Sequence, residues 1–239
     1  MPYIYVYMAY SYGPSIAKNG LLMALDAANR KSYPGSGTVW SDLSGNNITG
    51  SLVNGPTYSS ANGGSIVFDG TNDYVNCGDL PIFRISSQIT LEAFFNISTY
   101  VNWSGIIGKS DAAKGVYVMH LAHTAQRVRF SYNSVSPWTT TIVDGNYPLT
   151  TNQWIHSVIT YNGSNVVFYI NGNTDKTQSI GSITFDTNAG FPLTIGQDPP
   201  GSNEFFNGRI SVARLYNRAL SASEVLQNYT ATKGRFGLA

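Results

Sequence analysis

The chain has 239 residues, of which 42% are hydrophobic and only 11% charged, with a formal net charge of +1. That length and apolar content exclude a disordered segment and let one all-β unit bury its own core. Without a basic stripe or acidic tail, nucleic acid and anionic lipid are not expected partners, and no apolar run is long enough for membrane insertion. The single cysteine, Cys77, excludes an internal disulfide and reads as a small buried hydrophobe.

In chain order, residues 1–20 form an arm. Tyr3, Tyr5 and Tyr7 alternate with Ile4, Val6 and Met8, the period of a strand, and Gly13-Pro14 breaks the pattern. The arm reads either as an assembly element that adds a strand to a partner's sheet or as a first strand of the same domain. Its apolar start lacks a basic flank, the first lysine being Lys18, so it does not read as a secretion signal. Residues 21–230 follow as one body, without a linker-like stretch. Leu21–Leu25 is a short apolar run, and residues 32–65 read as loops with brief strands. Ser65–Phe68 and Tyr74–Asn76 flank a polar turn. Over Ile89–Ser98, the residues Ile89, Leu91, Ala93, Phe95 and Ile97 share one face, the pattern of a half-buried strand. Gly105–Gly108, Val116–Leu121, Arg127–Tyr132 and Thr139–Val143 are further short strands.

The clearest hairpin joins Trp154–Tyr161 to Asn165–Ile170 through Asn162-Gly163-Ser164, because Asn and Gly tolerate positive φ. Leu193–Gly196 and Arg209–Tyr216 supply the last strands. One helix is expected near Ser221–Tyr229, where Ser221 and Glu224 have capping-box spacing. Residues 231–239 form a tail without periodicity. Many short strands predict an all-β, two-sheet antiparallel jelly-roll sandwich with one short C-terminal helix.

Several segments resemble one family. VFDGTNDYV (67–75), ITLEAFF (89–95), NQWIHSVITYNGSNVVFYINGN (152–173) and LTIGQDPPGSNEFFNGRISVARLYNRALSASEV (193–225) are similar, in order and spacing, to the signatures of laminin-G-like, concanavalin A-like lectin/glucanase domains. The likeness covers roughly residues 21–230 and implies the jelly-roll fold. The opening, LLMALDAANRKSYPGSGTVWSDLSGNN, resembles a variant found in structural proteins of bacteriophages, particularly those infecting cyanobacteria. It implies a virion protein assembled in the host cytoplasm, with other virion proteins and copies of itself as partners.

Candidate chemistry is sparse. A glycanase needs two carboxylates facing one glycosidic bond. The chain has only three glutamates, Glu92, Glu204 and Glu224, none paired in that way along the sequence, and Glu92 reads as alone on the outward face of its strand. His120 and His123, three apart on a strand, point to opposite faces and do not make a two-histidine metal site. The resemblance implies calcium at a sandwich rim, for which Asp42 with Asn46, and Asp69 with Asp73, are the candidate oxygen ligands. Turn and cap chemistry explains the same residues without a metal. Tyr100, Trp103, Tyr132 and Trp138 are candidate glycan platforms, against the alternative of core packing. Trp40 and Trp154 are core anchors by analogy with the family pattern. Two functions are therefore expected. The first is a non-enzymatic phage structural protein: a capsid decoration, head fibre or tail-associated adhesion domain. The alternative is a carbohydrate-binding module or adhesin that recognises surface polysaccharide.

Overall fold

A computed structural model describes residues 15–110, 116–122, 124–133, 140–185, 187, 190–198 and 204–239. In chain order its strands are β1 (Leu21–Asp26), β2 (Val39–Ser41), β3 (Thr49–Val53), β4 (Thr57–Ser59), β5 (Ser65–Asp69), β6 (Tyr74–Asn76), β7 (Ile89–Thr99) and β8 (Gly105–Lys109). They continue as β9 (Tyr117–Ala122), β10 (Arg127–Asn133), β11 (Thr140–Asp144), β12 (Trp154–Tyr161), β13 (Asn165–Ile170), β14 (Asn173–Ser179), β15 (Leu193–Ile195) and β16 (Asn207–Tyr216). Helix α1 (Ala222–Thr232) follows the last strand.

The first sheet has the order β14-β13-β12-β7-β16-β5-β4, with β1 also pairing β16, and the second runs β11-β10-β9-β8-β15-β6-β3-β2. The strand pairs in both are antiparallel; the runs β8–β11 and β12–β14 each stay within one sheet, and the connections on either side of them cross to the other. Alternate residues from each sheet meet in one core. Trp40, Phe68, Phe95, Tyr117, Phe130, Tyr161 and Phe168 are fully enclosed there, and Cys77 is a buried free thiol.

The expected hairpin forms as read: the Asn162 side chain accepts hydrogen bonds from the backbone N–H of Ser164 and Asn165, and Gly163 sits at φ 96°. The capping box also forms. Ser221 Oγ accepts from Glu224 N–H, Glu224 accepts from Ser221 N–H at 2.9 Å, and Arg218 grips the same carboxylate at 2.6 Å.

Three expectations need correction. β7 is buried on both faces from Ile89 to Ile97, not half-buried, because α1 and the turn after it cover its outward side. Glu92 is therefore not alone. Arg214 stands directly opposite it on β16 and donates at 2.5 Å, while His156 Nε2 lies at 3.1 Å and Asn228 of α1 donates at 2.6 Å. Burial opposes the charge on Glu92, but Arg214 and these hydrogen bonds outweigh it and hold the carboxyl down at about 2. Around this network Phe94 stacks on His156 at 4.3 Å and on Phe236 at 5.0 Å. Phe236 belongs to the segment assigned to an aperiodic tail, yet it is buried beside Trp154.

Candidate functional site

The outer face of the second sheet carries the other concentration of polar side chains. Register puts Asp144 of β11, Arg129 of β10, His120 of β9 and Gly105 of β8 in one row across four strands. Residues opposed across a ladder share a face, so the row forms a floor. Arg129 donates from Nε to Asp144 Oδ1 at 2.6 Å and from Nη2 to Oδ2 at 2.9 Å, a bidentate pair that fixes both planes. These bonds from Arg129 hold the Asp144 carboxyl below its usual range against the effect of burial. His120 Nε2 lies 2.7 Å from Ser131 Oγ in the neighbouring row. Its Nδ1 lies 3.2 Å from Asp198 Oδ2, without hydrogen-bond alignment. Asn133, two residues beyond Ser131 on the same face, buries an Oδ1 that finds no partner among the described residues. Buried polar atoms left in this condition mark unspent hydrogen-bonding capacity.

Trp103 stands over this floor. Its ring lies 4.6 Å from the Arg129 guanidinium and 5.0 Å from the His120 ring. The backbone there is at φ 61°, a strained conformation for a bulky side chain and one that clusters at functional positions. The opposite wall comes from the chain at Gln197–Asp198. A Cβ on Gly105 would sit 2.2 Å from the Gln197 carbonyl, so glycine alone lets this wall cross the sheet. Gly105 N–H and Asp198 N–H both donate to the Glu204 carbonyl. Burial, reinforced by the Asp198 carboxylate, pushes the Glu204 carboxyl up to about 7.

Of the expected platforms, Trp103 belongs to this site. Tyr132 does not, which corrects its reading as a glycan platform. In β10 the sequence RVRFSYN alternates, so Arg129, Ser131 and Asn133 face out while Val128, Phe130 and Tyr132 face in. Tyr132 is 4% exposed and packs against Phe130 and Phe185. Tyr100 is half-buried against the core. Trp138 and the arm residues Tyr3, Tyr5 and Tyr7 lie outside the described residues. His120, Arg129, Ser131 and Asp144 were not among the expected site residues. The alternation of β10 was the available signal, and it would also have moved Tyr132 inside.

The expected calcium ligands do not make a cation cage. Asp42 Oδ1 accepts from Ala24 N–H and Ser44 N–H, and its Oδ2 accepts from Ser44 Oγ and Asn46 N–H. Asn46 turns its amide nitrogen to the Leu22 carbonyl. This loop therefore caps the outer edge of β1. Asp69 Oδ1 accepts from Thr71 and Asn72, which holds its carboxyl low, and Asp73 accepts from Asp69 N–H. Donors already point at these lone pairs, which a cation would need. No group of three or more metal-ligating side chains exists among the described residues.

Comparison with known proteins identifies the architecture. The family model Laminin_G_3, described as the Concanavalin A-like lectin/glucanases superfamily, matches residues 69–226. No curated protein sequence matches the chain. Domain 4 of AbnA, a GH43 extracellular arabinanase from Geobacillus stearothermophilus solved with arabinotriose, superposes with a TM-score of 0.67 at 19% identity, covering 88% of this chain and 98% of that domain. The binding domain of Paraclostridial Mosquitocidal Protein 1 gives 0.67 at 17% identity over 89% of this chain. This chain spans 52% of that domain's length. Trypanosoma rangeli sialidase gives 0.66 at 15% identity, with 94% of this chain covering 35% of the enzyme. At these identities the likeness is one of fold.

Proposed function

The chain belongs to the concanavalin A-like lectin/glucanase superfamily, and from that premise we propose that it is a non-enzymatic carbohydrate-binding domain whose ligand lies on the outer face of β8–β11. One observation carries the reading: the two sheets treat their outer faces oppositely. The first sheet is sealed by α1 and Phe236, whereas on the second the Asp144–Arg129 pair keeps 29% and 14% of its side chains exposed, beside a strained Trp103 that packs on Arg129 and the buried His120. Planar aromatic surface beside fixed donors and acceptors is the chemistry that orients a sugar ring. The arabinotriose held by the similar arabinanase domain supports the same ligand class.

Glu92, Glu224 and Asp144 are each committed to an arginine, which leaves Glu204 and Asp198 beside Gly105 as the carboxyls that a turnover assay tests. The test is calorimetric titration with a panel of neutral and acidic polysaccharides. Micromolar-to-millimolar binding by the full chain is expected, weakened about tenfold or more by Arg129→Ala or Trp103→Ala. Absence of binding across the panel, or release of reducing ends by the pure protein, would refute the reading.

A finer assignment concerns where the domain works. We propose that it is deployed on a bacteriophage particle, as a capsid decoration, head fibre or tail-associated adhesin. The likeness of residues 21–47 to phage structural proteins supports this; in the fold that segment forms β1, β2 and the β1 edge cap of Asp42 and Asn46. Mass spectrometry of purified particles should detect the chain at stoichiometric copy number. Particles complete without it would reject the placement.

A further inference from the structure

Beyond Asp144 the surface continues onto the β13–β14 hairpin. Lys176 of β14 donates to the Asp144 carbonyl at 2.7 Å, so the edges of the two sheets touch there. Three residues on, Tyr147 leaves 40% of its surface exposed. With Ile170, Asn173, Thr174 and Asp175 it lines an open cavity of about 220 Å³. The cavity is held in shape. Asn171 and Gly172 turn the hairpin at φ 50° and 79°, the left-handed pair that suits a tight two-residue loop. Asn173 Nδ2 donates to the Asn171 carbonyl at 3.1 Å. Asp175 Oδ2 accepts from Asn146 N–H at 2.7 Å, and Asn146 Nδ2 donates to the Asp175 carbonyl at 3.3 Å. These bonds fix the side chains but leave acceptors open: no hydrogen bond from the described residues reaches Asp175 Oδ1 or Asn173 Oδ1.

An exposed aromatic face, an apolar floor and two oriented acceptors suit a ring with one C–H face and an edge of hydroxyl donors. The Asp175 carboxylate favours uncharged hydroxyls over acidic groups. Trp103 packs on the Arg129 guanidinium, Arg129 pairs with Asp144, and Tyr147 follows Asp144 by three residues, a span of at most about 10 Å, so both aromatic rings flank the same edge of the sheet. We propose that Tyr147, Asn173 and Asp175 form a second saccharide subsite, so that the ligand is an extended neutral oligosaccharide lying across the sheet edge. The inference rests on the reading of the β8–β11 face as a glycan site and adds chain length and charge to its specificity.

The test uses the full chain and size-fractionated oligomers, from two to eight units, of arabinan, xylan and β-1,4-glucan, with oligogalacturonate as the acidic control. Affinity should climb with oligomer length and then plateau. Tyr147→Ala should remove about five- to tenfold from the longest oligomers while leaving the shortest unchanged, and Asn173→Ala should act in the same direction. Trp103→Ala should weaken every length. Tyr147 is 40% exposed, so Tyr147→Ala should lower the melting temperature slightly, and its unchanged affinity for the shortest oligomers is the internal control for a folded site. Length-independent affinity, an unchanged Tyr147→Ala series, or preference for oligogalacturonate overturns the second subsite while leaving the first reading intact. Failure of every oligomer to bind overturns both.

Discussion

The two outer faces of the sandwich both hold charged residues, and they differ in how they are covered. On the first sheet, Glu92 meets Arg214, His156 and Asn228 at the floor of an aromatic stack closed over by α1. Glu92 and Arg214 pair within the fold there, while His156 Nδ1 and Asn96 Oδ1 on the same face find no hydrogen-bond partner among the described residues. On the second sheet, Arg129 and Asp144 pair, His120 Nδ1 and Asn133 Oδ1 likewise find none, and burial together with Asp198 drives Glu204 toward neutrality. What separates the faces is cover: α1 and Phe236 close the first, whereas on the second Asp144 keeps 29% of its side chain exposed.

The largest expected effect comes from breaking the closed face. Arg214→Met leaves Glu92 buried and uncompensated, and removing one partner of a buried pair costs about 3–5 kcal/mol. Denaturant unfolding should show this loss, whereas Arg129→Met on the open face should cost less, because its Asp144 partner is 29% exposed and can rehydrate. Equal losses would erase the distinction between the faces. The same network sets acid behaviour. Glu92 is depressed in the folded state, so its contribution is present above about 4.5 and is lost as pH falls toward about 2.

A middle-sized effect separates the helix lid from the sheet. Ser221→Ala removes an N-cap and should cost about 1 kcal/mol, read as a lower melting temperature. Affinity for the shortest oligosaccharides should be unaffected, since α1 covers the other sheet. A matching loss of affinity would mean that the lid and the open face are coupled.

The sequence showed the closed face better than the open one, for a physical reason. Strands buried on an apolar face advertise themselves through alternation, as with Ile89, Leu91, Ala93, Phe95 and Ile97, and the Ser221–Glu224 cap is a local signal. The partner of Glu92 is not local: Arg214 is 122 positions away and meets it only through sheet register. β14, with the sequence NTDKTQS, offered no alternation because its side chains flank a solvent-exposed edge, so it went unread. The site row is harder still, since Asp144, Arg129 and His120 come from three strands whose pairing no single segment encodes. Tyr132 was misplaced because an aromatic ring reads alike as platform and as core until the parity of RVRFSYN is followed from Arg127.

The smallest expected effect tests the open face without a ligand. Glu204 has its pKa raised from 4.5 to about 7 by burial and by Asp198. Between those values this group binds more protons in the folded state than in the unfolded chain, so its contribution to stability falls as pH rises through the window. Two buried groups act with the opposite sign: Glu92 near the lower edge, where its unfolded counterpart still holds protons, and His156 up to and around pH 6.5, because burial lowers its folded-state pKa. The measurement is therefore a difference: across about pH 4.5–7 the melting temperature of the parent should have a more negative slope than that of Glu204→Gln, which keeps the neutral form at every pH. If Glu204→Gln retains the parental slope, the proton uptake belongs to another group, and Asp198 is not close enough in energy to Glu204 for the open face to act as a strained, ligand-ready site.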